Sequence, residues 1–170
     1  MKNFSKFTNK LNTAVLFIAS ILFLFMSFCT IAQVFSRFVI KNSLPWSEEY
    51  ARYAFIYVVL LGITTGVKKK GHAFVELFIE RIKGKFKFVL KTISNLVSTS
   101  FFGLLIIYGY RAAISASTQY SPATNTNMGL IYAALPISAA IMFIYSVEIL
   151  INTILNNQST DDVKKFGREE

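Results

Sequence analysis

The sequence predicts an all-α integral membrane protein with four transmembrane helices plus one interfacial amphipathic helix. Three observations predict it. Hydrophobic residues make up 54% of the chain and charged residues only 16%, against about 25% charged in soluble domains. The apolar residues gather into four stretches long enough to cross a bilayer, which takes roughly 20 residues of helix. The lysines and arginines gather between those stretches, and 14 of the 18 fall in the two tails and the middle connection. The net charge of +9 therefore makes no continuous basic face, which excludes nucleic-acid binding. The 170 residues suffice for a single membrane domain.

The first span covers about 11–36, because no charge occurs from Leu11 to Ser36. Lys2, Lys6 and Lys10 would serve as the basic region of a signal peptide, with Thr30 and Ala32 at its cleavage site. The apolar run exceeds the roughly 7–15 residues of a signal core, so the span is expected to be retained. The second span covers about 47–67 and carries Glu48, Glu49 and Arg52 at its start. The third covers about 87–112 and is uncharged from Thr92 to Tyr110. The charge-free region from Ala112 to Val147 is too long for one helix. Its polar part, Ser115–Asn127 with Pro122, reads as a loop. The fourth span is then about 128–155, followed by a tail at 156–170.

Between the second and third spans, Phe74, Leu77, Phe78 and Ile82 share one helical stripe, opposite Glu76, Glu80 and Lys83. This predicts an amphipathic helix over about 73–83. It would lie flat in the inner membrane interface among basic residues, with Lys68, Lys69, Lys70, Phe74 and Phe78 against phospholipid headgroups. Lysine and arginine near span ends set orientation. Both termini and the middle connection are therefore expected in the cytoplasm, and the loop Ser115–Asn127 outside.

The segment from Arg37 to Arg52 is the most informative stretch. Asn42 or Ser43 can cap a helix whose first turn holds Pro45. Trp46 suits headgroup level. Glu48 and Arg52 have the i,i+4 spacing of an ion pair. These residues read either as a capped helix start or, with Arg37, as charges that pair with another subunit, since charges at a membrane edge usually face protein. Gly62 and Gly66 form a small-xxx-small pattern that permits close helix approach. Asn95, Thr99 and Gly103 share a face of the third span and can hydrogen-bond or pack across helices, which is preferred over a substrate site. Pro136 is expected to bend the fourth span. Glu148, about two turns from that span's inner end, needs a partner, and packing against another subunit is preferred over proton transport. Gln119, Tyr120, Ser121 and Asn125 lie in the outward loop, which reads as solvated loop or as a docking surface for an extracytoplasmic protein. A single cysteine, Cys29, and a single histidine, His72, exclude an internal disulfide and a multi-histidine metal site. No nucleophile with its base and no phosphate loop occurs, so the chain is not expected to be an enzyme.

Several of these residues carry a family resemblance. Gln33 and Ser36-Arg37 end the first helix, and Leu44-Pro-Trp-Ser-Glu-Glu49 with Ala51-Arg52 follow. Gly62, Gly71-His72, Ser121-Pro122, Met128-Gly129, Tyr132 and Ala134-Leu135-Pro136 come next in order. In these the chain resembles the small membrane (DctQ-like) subunit of tripartite ATP-independent periplasmic (TRAP) transporters, over about residues 33 to 136. Glu76 stands where the family favours aspartate, and Ala73-Phe74 is less polar than usual there. The resemblance implies a scaffold in the bacterial inner membrane, without cofactor of its own. It would brace a large membrane subunit that holds the sodium and substrate sites. A periplasmic binding protein would deliver an organic acid of the C4-dicarboxylate or sialic acid type. Arg37, Trp46, Glu48, Glu49, Arg52, Gly62, Gly66 and Glu148 would then meet the large subunit. Gln119, Tyr120, Ser121 and Asn125 would help dock the binding protein. Two alternatives are an autonomous four-helix exporter acting as a homodimer and a structural tetraspan protein. Small exporters of that kind resemble one another in a carboxylate within the first helix, and none occurs here from Leu11 to Ser36.

Overall fold

The computed structural model describes residues 2–42, 44–70 and 85–166. The interfacial helix expected at 73–83, with Phe74 and Phe78, lies outside the described residues. Helix α1 (Lys2–Phe35) runs into a π-helical turn (Ser36–Ile40). Helix α2 (Pro45–Lys70), α3 (Lys85–Ala116), the short α4 (Met128–Tyr132) and α5 (Ala134–Phe166) follow. Four segments are long and apolar enough to cross a membrane: Phe4–Ile40, Pro45–Lys69, Phe88–Ala116 and Met128–Leu155. The helices overrun the expected spans at 11–36 and 87–112, because helical hydrogen bonding continues past the point where the side chains turn polar.

Inside α1 the hydroxyls return to their own helix. Ser20 donates to the Leu16 carbonyl, Ser27 to Phe23 and Thr30 to Met26, at 2.8–2.9 Å. They need no partner helix in an apolar medium. The helix ends on buried Ser36, whose carbonyl accepts from the N–H groups of Lys41 and Asn42. Its hydroxyl donates to the Asn42 carbonyl at 2.5 Å. Lys41 takes the left-handed conformation, φ 56°, that reverses the chain. Asn42, expected as a possible cap of α2, thus closes this turn with its backbone, and the hydroxyl of Ser47 donates to the Leu44 carbonyl at 3.0 Å.

The fourth span loses its regular helical bonding at one residue, Ala133, which keeps right-handed helical angles (φ −63°, ψ −19°). Asn127 caps α4, its side-chain oxygen accepting from the Gly129 N–H at 2.8 Å. Pro136 has no N–H to offer the Tyr132 carbonyl, so α4 stops there and α5 starts afresh at Ala134. Two glycines let α3 approach this break. A Cβ on Gly109 would lie 3.1 Å from Cδ of Pro136, and one on Gly129 would lie 2.9 Å from the Ala113 carbonyl oxygen.

Helix α1 packs on α2, α3 packs on α5, and the two pairs join along α2 and α5. The centre holds Ala54, Leu61, Ala134, Ala139, Met142 and Tyr145. The outside is apolar. Phe17, Leu24, Phe28, Ile31, Phe38 and Leu130 are each 63–74% exposed. Six such side chains at about 2 kcal/mol each would cost ~12 kcal/mol in water, comparable to the whole stability of a domain. Lipid or another membrane protein must cover them.

Candidate partner-binding and docking surfaces

At the expected outer end, the Glu49 carboxylate is enclosed by the loop between α3 and α4. The Ser121 hydroxyl donates to Oε2. Thr124 donates to the same oxygen through its N–H at 3.0 Å and its hydroxyl at 2.7 Å. The Ala123 N–H reaches Oε1 at 3.1 Å. The loop is braced around these bonds. Asn125, at φ 51°, donates its N–H to the Ser121 carbonyl, and the Ser121 N–H donates to Thr126. The Asn127 side chain donates to the Ser117 carbonyl at 2.9 Å. Asparagine tolerates the left-handed region better than most residues. Tyr57 adds a further tie, its hydroxyl donating to the Leu130 carbonyl at 2.7 Å.

Glu49, expected to face a partner, is therefore spent inside the chain. Among the expected docking residues, Gln119, Tyr120 and Asn125 are exposed, whereas Ser121 is buried beneath them. Glu48 takes a different direction from Glu49. It accepts from Arg52 at 3.0 Å and from the Gln33 amide at 3.3 Å, linking α1 to α2. This ion pair is well exposed, so it contributes at most a few tenths of a kcal/mol. Trp46 is half-exposed and meets Tyr50 edge-on at 6.5 Å.

At the other end Lys68 departs from its expected place at the lipid interface. Its ammonium donates to Glu148 and, at 2.7 Å, to the Thr8 hydroxyl, and it lies 5.5 Å from the Tyr145 ring centre. The side chains of Lys68 and Glu148 are only 12% and 7% exposed. The physical reason is the carboxylate: within a spanning helix it is costly unless neutralised. Glu148, expected to pack on another subunit, is thereby paired within the chain, and the pair fastens α1, α2 and α5. Lys69 is exposed, and the Lys70 side chain lies outside the described residues.

The stripe on the third span packs as its spacing predicted. Asn95 donates to Thr153 at 3.2 Å, Thr99 and Ser146 share a hydrogen bond of 2.6 Å, and Gly103 faces Phe143. Gly62 and Gly66 do the opposite. A Cβ on either would meet nothing within 4 Å, and Phe55, Val59 and Ile63 beside them are exposed. This face of α2 is unused by the chain itself.

Two features escaped sequence reasoning. The loop's grip on Glu49 joins residues more than 70 positions apart, and only the shared outer location of the two segments hinted at it. The selection of Lys68 from three consecutive lysines did have a signal. Lys68 follows Thr64 by four residues and Leu61 by seven, and both are buried, so helical phase turns it inward.

A family model described as "Tripartite ATP-independent periplasmic transporters, DctQ component" matches residues 26–156. The chain is 31% identical over 143 residues to the sialic acid TRAP transporter permease protein SiaT of Haemophilus influenzae, covering 84% of this chain and 23% of that one. It is 27% identical over 128 residues to the C4-dicarboxylate TRAP transporter small permease protein DctQ of Pseudomonas aeruginosa, covering 71% and 60%. It is 27% identical over 81 residues to the sialic acid TRAP transporter small permease protein SiaQ of Vibrio cholerae, covering 48% and 47%. The match spans less than two thirds of each of these relatives.

Proposed function

This chain belongs to the DctQ component family of the tripartite ATP-independent periplasmic transporters, and from that premise we propose that it is a small permease subunit bracing a larger membrane subunit. The observation that carries this reading is the relation to SiaT. There, 143 residues similar to this chain form 23% of a permease polypeptide, so the similar segment is covalently joined to a much longer remainder. In this chain the same kind of segment would meet a larger membrane part by packing within the membrane.

The polar groups of the bundle support a brace better than a transport path. Lys68 neutralises Glu148, the one buried carboxylate among the described residues, and the α3–α5 hydrogen bonds join helices to each other. An autonomous exporter needs such groups free to exchange partners. The open face of α2, with Gly62 and Gly66 beside Val59 and Ile63 and below Arg52, is the surface assigned to the larger subunit. Small residues let a second helix come close enough for van der Waals contact along its length. Substrate and sodium would be held by that larger subunit. The substrate would be an organic acid of the sialic acid or C4-dicarboxylate class. A periplasmic binding protein would dock near Gln119, Tyr120 and Asn125. The chain would sit in the inner membrane with both termini in the cytoplasm.

Co-purification tests the assignment. Leucine at Gly62 and Gly66 meets open space within the chain and is a better helix former by about 1 kcal/mol. Gly62→Leu/Gly66→Leu should leave the chain folded and lower recovery of the co-expressed larger subunit about tenfold, the equivalent of ~1.4 kcal/mol. Unchanged recovery would assign this face to lipid.

A further inference from the structure

The end of α1 and the start of α2 flank an open cavity, of mixed polar and apolar lining, that the bracing role does not use. Gln33, Arg37, Leu44, Pro45 and Glu48 line an open space of about 210 Å³. Glu48 already accepts from Arg52 and Gln33. Arg37 is exposed and has no ion pair among the described residues. Arg37 is therefore open to a phosphate, while Glu48, with one bond at each oxygen, can still take a cation.

The setting narrows which ligand brings both charges. Arg37 lies in the last turn of the first membrane-crossing segment, Phe4–Ile40, and Pro45 opens the second. Half-exposed Trp46 marks this as headgroup level. Along α1, Val34, Thr30 and Phe23 precede Arg37 by three, seven and fourteen residues, which places them on one helical stripe. All three are exposed. Thr30 turns its hydroxyl back to the Met26 carbonyl and so presents its methyl group. From Phe23 to Arg37 the helix rises about 21 Å, enough to accompany an acyl chain through one leaflet of about 15 Å. The cavity thus has a cation at its mouth and an apolar track beside it, the two halves of a phospholipid.

We propose that this cavity binds the headgroup of a phospholipid carrying a primary ammonium group, with the phosphodiester on Arg37 and Gln33 and the ammonium on Glu48. Each Glu48 oxygen accepts a single bond from the protein and keeps a second lone pair. An ethanolamine ammonium can donate to it, whereas a choline group cannot. The guanidinium of Arg37 matches a phosphate with two parallel donors. The proposal needs only the membrane setting and stands apart from the bracing role.

Native mass spectrometry of the full chain, released from detergent and titrated with palmitoyl-oleoyl phosphatidylethanolamine, phosphatidylcholine or phosphatidylglycerol, tests it. One phosphatidylethanolamine should be retained about tenfold more tightly than phosphatidylcholine. Arg37→Gln should weaken that retention about tenfold, whereas Arg111→Gln, at another exposed arginine, should not. Glu48→Gln should erase the preference over phosphatidylcholine while leaving phosphate-dependent binding in place. Equal retention of all three lipids, or a preference for phosphatidylglycerol, would overturn the proposal. Lipid retention untouched by Arg37→Gln would overturn it too, and joined to lost recovery of the larger subunit it would give the cavity to a protein carboxylate.

Discussion

Replacing Lys68 by methionine isolates the strongest internal fastening in the bundle. The substitution keeps most of the apolar stem but removes the ammonium that serves both Glu148 and Thr8. Glu148 would remain with its side chain only 7% exposed and no counter-charge. Breaking a buried pair from one side costs about 3–5 kcal/mol. For a chain of this size each kcal/mol moves Tm by about 2–4 °C, so Lys68→Met should melt about 10 °C lower. Lys69→Met, one residue on but exposed, should change stability by less than about 0.5 kcal/mol. The double variant Lys68→Met/Glu148→Leu removes both charges and should return to within about 1 kcal/mol of the original, since paired buried ions are often replaceable by apolar residues. Glu148→Leu alone completes the cycle, and thermal melts in detergent, read by size-exclusion recovery, give every variant. Equal losses for Lys68→Met and Lys69→Met, or simple additivity in the double variant, would refute the reasoning.

Two further outcomes follow from the outer end and the orientation. Glu49→Ala removes the acceptor that holds the Ala123 and Thr124 amides, so both should exchange with deuterium about tenfold faster; unchanged exchange would mean that the loop holds its shape without the carboxylate. A cysteine at Tyr120 should react with a membrane-impermeant thiol reagent added outside, and one at Lys69 should not; the reverse pattern would invert the topology.

The spans were legible because a run of some twenty apolar residues is a property of one segment alone, whatever its neighbours do. The same holds for the Glu48–Arg52 pair, set by spacing on a single helix. Contacts between segments were read unevenly. Asn95, Thr99 and Gly103 were visible as a face because all three lie on one helix, although their partners Thr153, Ser146 and Phe143 were not. Lys68 and Glu148, 80 positions apart, looked like separate problems: one an interfacial lysine, the other a carboxylate seeking a foreign partner. Their union depends on how α2 and α5 rotate against each other, which no local pattern states. Glu49 is the mirror case. Its charge suggested a partner, and the partner is the chain's own loop. Pro136 was recognised as a perturbation, but the extent of the break at Ala133 depends on Gly109 and Gly129 letting α3 close on it. Glu49 and Glu148 are thus occupied within the chain, and the small-residue face of α2 is the surface proposed for a partner.

In the proposed role the chain supports transport without conducting it. Proteoliposomes with an imposed sodium gradient, supplied with binding protein and labelled sialic acid or C4-dicarboxylate, test this most directly. Uptake should require the larger membrane subunit and this chain together, and be lost in vesicles containing this chain alone. Uptake by this chain alone, or full uptake by the larger subunit without it, would contradict the account.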